Sequence, residues 1–211
     1  MVTALLTDLG GTNACFELHD LSVVSDSDSP AAAAVDPAED RLLLAKTYAT
    51  SSAGGGGFQA LVSRFASECA AAALPPPRVA CMAVCGACTN AETQEYFCCS
   101  AVFDQLGGAW RFDAASVSAA LGGGTCEVVL LNDFVAVGHA LGSIAAEQLH
   151  ALHEAPLGPQ RRSPIACLGP GTGLGNVFAV CCGERERMVM PSEGCMTSFN
   201  PSSQEEWEFR R

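Results

Sequence analysis

The chain is short of positive charge, of long apolar runs and of paired metal-ligand motifs. Eleven lysines and arginines stand against 23 aspartates and glutamates, a net charge of −12 with an isoelectric point near 4.6. Such a surface repels a phosphate backbone, so nucleic acid is excluded as an expected partner. Bound ATP is not, because a nucleotide is held locally by backbone donors and a cation. No apolar stretch approaches the roughly 20 residues of a membrane span, and the sequence opens directly on its first strand with no basic, apolar leader. The expectation is a cytoplasmic protein with no membrane partner. Without a secretory signal, a disulfide framework is not expected either.

Cysteine itself is plentiful, at 12 of 211 residues, but its spacing does not suit zinc. A structural zinc site shows two separated ligand pairs around a loop. Here Cys81 and Cys85 fall in a predicted strand, Cys85 and Cys88 form one Cys-x-x-Cys pair, and Cys98-Cys99 and Cys181-Cys182 are adjacent pairs in apolar surroundings. Cysteine in such places behaves as a small buried hydrophobe. His150 and His153 are one helical turn apart but have no acidic or cysteine partner at matching spacing, so they read as a solvated face. The 49% of hydrophobic residues is enough for a sizeable core in one or two domains. Much of the acidity lies between Asp20 and Asp40 around the alanines 31 to 34, which reads as a solvated, low-complexity insertion.

Glycine carries the strongest signal. Asp8-Leu9-Gly10-Gly11-Thr12-Asn13 follows the apolar run Val2 to Leu6 and precedes Ala14 to Leu18. Gly169-Pro170-Gly171-Thr172-Gly173-Leu174-Gly175 follows Ile165 to Leu168 and precedes Val177 to Cys182. Both read as strand, glycine turn, strand. Rossmann and P-loop turns open a helix instead, and no Gly-Lys-Ser/Thr ending is present. Without a Cβ, backbone N–H groups approach phosphate oxygens closely, and the Thr12 and Thr172 hydroxyls add donors. Either turn alone is equally a plain hairpin; the pair points to a phosphate gripped from two sides.

A third segment supplies a carboxylate. The buried-strand pattern Glu127 to Leu131 runs into Asn132-Asp133-Phe134. A helical periodicity of Phe134, Val137, Leu141, Ile144, Ala145, Leu149 and Leu152 follows. Asp133 therefore sits where a strand ends and a helix begins. A helix cap and a ligand-facing group at the carboxyl end of a sheet strand both fit that position. The runs Gly54 to Gly57 and Gly122 to Gly124 read as punctuation around the helices Phe58 to Ala73 and Ala114 to Leu121.

Four segments, in order, resemble the motifs of the bacterial-type glucokinase family: Asp8 to Ala14, Leu131 to Val137, Gly169 to Gly175, and Pro191-Ser192-Glu193-Gly194. The family belongs to the sugar kinase, actin and Hsp70 superfamily. The resemblance implies an α/β, two-domain actin-like ATPase (ribonuclease H-like) fold, with residues 1–133 as the small domain and 134–211 as the start of a large domain left incomplete. It implies ATP-dependent phosphorylation of glucose at the 6-hydroxyl, with ATP and Mg2+ required and a homodimer left open.

Position by position, the resemblance assigns Asp8 to magnesium through water and Gly10, Gly11, Thr12 and Asn13 to the β- and γ-phosphates. Gly171, Thr172 and Gly173 would close on the nucleotide. Asn132 and Glu193 would hold sugar hydroxyls, and Asp133 would bind the sugar and accept the proton of the attacking hydroxyl.

Three departures stand against this pattern. Met196 replaces the family's sugar-binding histidine, and a thioether donates no hydrogen bond. The family's Thr-Asn-x-x-Trp segment is not found in the stretch near Phe97 to Ala101, and Ala83 to Ala87 matches its turn only approximately. The chain stops soon after Glu193, where the family continues. A pseudokinase or gene fragment with residual nucleotide or sugar binding is therefore the alternative expectation.

Overall fold

The computed structural model describes residues 2–21, 41–98, 103, 107–141, 143–153, 164–171, 174–182, 187–192, 194 and 203–210. The chain divides into two compact units, Met1–Ala136 and Val137–Arg211.

The first unit is built on a five-stranded mixed sheet. Strands β1 (Thr3–Leu9), β2 (Asn13–Asp20) and β3 (Arg41–Ala49) form an antiparallel meander; β4 (Val79–Val84) lies parallel to β1. β5 (Ala87–Asn90), β6 (Glu95–Cys98) and β7 (Trp110–Phe112) make a separate antiparallel sheet. β8 (Glu127–Asn132) returns to the main sheet parallel to β4, giving the order β3-β2-β1-β4-β8. The strand, glycine turn, strand expectation for residues 2–18 is met, and the strand extends to Asp20. That residue is the buried end of β2, opposite Thr3 and Arg41, rather than the start of a solvated insertion. Residues 22–40 lie outside the described residues.

Two helices close one face of this sheet. α1 (Gly57–Ala71) presents Phe58, Leu61, Val62, Phe65 and Cys69 at helical spacing, all buried. Phe16 of β2 is their centre: its ring lies 5.2 Å from Phe65, 6.2 Å from Phe58 and 5.5 Å from Tyr48. Burying each such ring stabilises the fold by on the order of 1.5–3 kcal/mol. α2 (Ala114–Ala120) starts with a capping box, in which Asp113 Oδ1 accepts from Ser116 N–H at 2.7 Å and Asp113 N–H donates to Ser116 Oγ at 3.1 Å. It ends at Gly122 to Gly124, whose positive φ angles suit glycine.

The opposite sheet face carries Leu6, Cys81 and Val129, all exposed. Cys81 is therefore not the core residue its strand position suggested: a strand presents alternate residues to opposite faces, and α1 covers only one. Cys69, Cys98 and Cys126 do lie in the core. Burial pushes the Cys69 and Cys126 thiols up to about 11. Cys15, Cys69, Cys81, Cys85, Cys88, Cys126 and Cys167 are free thiols.

α3 (Asp133–Ala140) leads from β8 across the boundary between units. The periodicity through Leu152 predicts a helix twice as long. Instead Ser143 N–H turns back to Ala140 O at 2.8 Å, a short 3₁₀ turn follows at Ala146–Gln148, and Leu149 and Leu152 are 63% and 94% exposed. Apolar spacing without a surface to bury it does not sustain a helix, and Gly138 and Gly142 lower the local propensity.

In the second unit β9 (Ile165–Pro170), β10 (Leu174–Cys181) and β11 (Arg187–Ser192) form an antiparallel sheet in the order β11-β10-β9. α4 (Gln204–Arg210) is capped by Ser203, whose Oγ accepts from Glu206 N–H at 3.2 Å while Glu206 Oε2 accepts from Ser203 N–H.

Candidate active site

The first glycine turn is a hairpin whose carbonyls are held from behind. Gly10 N–H donates to Asn13 O at 2.9 Å. A Cβ on Gly10 would come within 3.3 Å of that same oxygen, so a side chain there would press on the turn. Thr50, buried just after β3, donates its N–H to Thr12 O at 2.9 Å and its Oγ1 to Gly11 O at 3.0 Å. These bonds use carbonyl oxygens and leave the Gly11 and Thr12 N–H groups to other partners. The sequence does not single out Thr50, because its contact with the turn is made across β2 and β3.

Asp8 precedes this turn on β1, opposite Cys15 of β2 and Ala83 of β4. The residue is exposed, yet partial burial of its carboxyl raises its pKa above the ordinary carboxylate value. Because it keeps contact with solvent, the effect is smaller than for an enclosed carboxylate.

Asn132 is the last residue of β8 and the N-cap of α3. Its Oδ1 accepts from Phe134 N–H at 3.1 Å and Val135 N–H at 3.2 Å, and its Nδ2 donates to Gly86 O at 3.2 Å. Asp133 Oδ1 accepts from Phe134 N–H at 2.8 Å. The capping role that the sequence left open for Asp133 falls mainly to Asn132, whose amide keeps one further N–H for a ligand. Gly86, within the Ala83 to Ala87 turn that matches the family only approximately, offers the carbonyl that anchors Asn132 from 46 residues away.

Register brings these groups to one edge. Leu9 pairs with Val84, and Val84 with Asn132, so β1, β4 and β8 end side by side. β1 and β8 are each one strand from β4, which puts their carboxyl ends about 10 Å apart. Asp8, the Gly10 to Asn13 turn, Asn132 and Asp133 thus share the carboxyl end of three parallel strands, where open α/β sheets bind ligands.

In the second unit Leu174 pairs with Pro170 and Gly175 with Gly169, closing the second strand, turn, strand motif. Asn176 pairs with Ser192, and Gly194 N–H donates to Ser192 Oγ at 3.1 Å, so the end of β11 lies beside that turn. Gly171 is described; Thr172, Gly173, Glu193 and Met196 lie outside the described residues. Among the described residues no three His, Cys, Asp or Glu side chains gather as a metal site. His150 and His153 are both exposed.

The model of the glucokinase family matches residues 5–211, nearly the whole chain and both glycine turns. The chain belongs to the glucokinase family. A glucokinase of Synechocystis is 40% identical over 82 residues, covering 39% of this chain and 22% of the relative; one of Nostoc punctiforme is 35% identical over 100 residues, covering 47% and 28%. Among solved structures, a glucokinase from an Antarctic psychrotroph superposes with a TM-score of 0.63 at 23% identity, over 100% of this chain and 56% of that one. The glucokinase of Balamuthia mandrillaris in complex with glucose gives 0.64 at 17% identity, over 99% and 53%. These two likenesses show the fold, a mixed α/β architecture. The chain spans about half the length of those structures and aligns with about a quarter of the two relatives.

Proposed function

We propose that this glucokinase-family chain takes part in ATP-dependent phosphorylation of glucose at its 6-hydroxyl, in the cytosol, with residues 1–133 as the small domain and residues 134–211 as part of the large one. The observation that carries the reading is the meeting of Asp8, the first glycine turn, Asn132 and Asp133 at the carboxyl ends of β1, β4 and β8. Nothing in the described fold or in the comparisons favours the alternative of an inactive remnant.

The donor set fits a nucleotide with its magnesium. Asp8 is a hard oxygen ligand standing alone, suited to a cation that keeps most of its waters and brings phosphate oxygens as ligands. The Gly11 and Thr12 N–H groups suit phosphate oxygens. Magnesium, when bound, neutralises charge on the phosphates. Thr50 fixes the turn so that its donors need no rearrangement when phosphate arrives.

Asn132 would orient the sugar with its remaining amide N–H, and Glu193 would bind a sugar hydroxyl. Asp133 would take the proton from the 6-hydroxyl oxygen as that oxygen attacks. The second turn, Gly171 to Gly173, would bind nucleotide, and the homodimer is the assembly to test. Positioning supplies most of the acceleration in a loose phosphoryl-transfer transition state. A general base adds about 10²- to 10⁴-fold.

Release of ADP from MgATP with and without glucose tests the reading. Glucose-dependent release that falls about 10²- to 10⁴-fold in Asp133→Asn is expected. A folded protein that releases no ADP at any glucose concentration would overturn it.

A further inference from the structure

β8 is the outer strand of its sheet, and an outer strand exposes unpaired N–H and C=O groups. On that edge two side chains take the place of a neighbouring strand. Leu130 N–H donates to Gln94 Oε1 at 2.8 Å, and Tyr96 OH donates to Leu130 O at 3.3 Å. Both side chains come from the β5–β6 hairpin.

Three further observations show that the arrangement is specific. Gln94 holds a φ of 50°, the left-handed region that non-glycine residues seldom adopt. Tyr96 is buried, and burial, with the neighbouring Cys88, pushes its hydroxyl up to about 12, which keeps it a proton donor at any working pH. The hairpin is braced in turn by Arg111 of β7, which pairs with Glu95 and lies over the Phe97 ring at 4.9 Å.

Asn132 follows Leu130 by two residues, and its Nδ2 bonds to Gly86 O just before β5. The strand end that carries Asn132 and Asp133 is therefore fixed twice to the same hairpin, through its backbone at Leu130 and through a side chain at Asn132.

We propose that Gln94 and Tyr96 are positioning residues for phosphoryl transfer: by completing the hydrogen bonds of Leu130 they set where Asn132 and Asp133 stand at the end of β8. The inference rests on the kinase reading above. Neither side chain needs to touch nucleotide, so their loss acts on turnover and on the glucose KM while leaving nucleotide affinity unchanged.

The test compares Gln94→Met, which removes the acceptor, with Gln94→Glu, which keeps an oxygen for Leu130 N–H, and with Tyr96→Phe. Amide hydrogen exchange is followed by NMR at Leu130, Phe134 and Val135; kcat, the glucose KM and the Kd of MgADP are measured alongside. Gln94→Met is expected to speed exchange at all three amides and to lower kcat by about 10- to 100-fold, the scale of a small displacement of a reacting group. Its MgADP Kd stays at the wild-type value, and Gln94→Glu restores both exchange and kcat. Tyr96→Phe shows the same pattern more weakly and serves if Gln94→Met fails to fold.

Unchanged exchange at Phe134 and Val135 in both Gln94→Met and Tyr96→Phe would overturn the proposal. So would wild-type kcat in these variants when the parent is active, or failure of Gln94→Glu to restore what Gln94→Met loses. A parent that releases no ADP would sink the kinase reading alone, and the exchange at Phe134 and Val135 would still decide whether the clamp positions this strand end.

Discussion

Asp8 and Asp133 are both carboxylates at the mouth of one sheet, but their surroundings give them different work. Asp133 accepts the Phe134 N–H and stands at the start of α3, where the N–H groups and helix dipole favour a negative charge. Asp8 is held by a strand, and partial burial raises its pKa. The folded chain therefore binds the Asp8 proton more tightly than the unfolded chain does. Its stabilising contribution is complete below the ordinary carboxylate pKa and is lost as pH rises through the raised one. Asp8→Asn should consequently raise the melting temperature slightly at neutral pH while weakening MgATP binding. A lowered melting temperature, or unchanged MgATP affinity, would contradict this account of the residue. Of the two, the sequence exposes Asp8 through the glycine turn beside it. The role of Asp133 was ambiguous because capping and catalysis favour the same residue type at the same place; in the structure Asn132 accepts two of the helix N–H groups and Asp133 one.

Elements with a local cause were legible. The alternation of β1 and β2, the stripe of α1 and the glycine hairpins each follow from residues a few positions apart. What was illegible depends on contacts distant in sequence. Thr50 holds the first turn from 38 and 39 residues away, and Gly86 O anchors Asn132 across 46. The overlong helix expected after Phe134 fails for a related reason: periodicity reports an apolar face, not whether anything lies against it. Gly86 gives a sharp test at this scale. A Cβ there would meet Cys98 Sγ and Phe97 O, each at 2.8 Å, and a backbone oxygen cannot give way cheaply. Gly86→Ala should cost about 1–3 kcal/mol in urea unfolding and raise the glucose KM by displacing the carbonyl that holds Asn132. Wild-type stability in this variant would show that the β4–β5 turn is not packed as described.

At the scale of the whole molecule, Phe16 gathers the largest group of ring contacts among the described residues of the first unit, and the acidic composition leaves recognition to local groups. Phe16, Phe58 and Phe65 are fully buried, and Phe16 touches both of the others together with Tyr48. Phe16→Ala should therefore destabilise the chain by about 3–5 kcal/mol, a large share of the 5–15 kcal/mol typical of a native protein. Chemical denaturation would read this directly, and a change below about 1 kcal/mol would mean that the core lies elsewhere. The proposed function requires that the carboxyl ends of β1, β4 and β8 form one phosphoryl-transfer site with separable parts. Phosphorus NMR of glucose with MgATP tests it most directly when the parent chain, Asp133→Asn and Asp8→Asn are compared at saturating sugar. Glucose 6-phosphate is expected from the parent, with a loss of turnover at unchanged nucleotide affinity in Asp133→Asn and a loss of nucleotide affinity in Asp8→Asn. Product formation at the parental rate in both variants would contradict it.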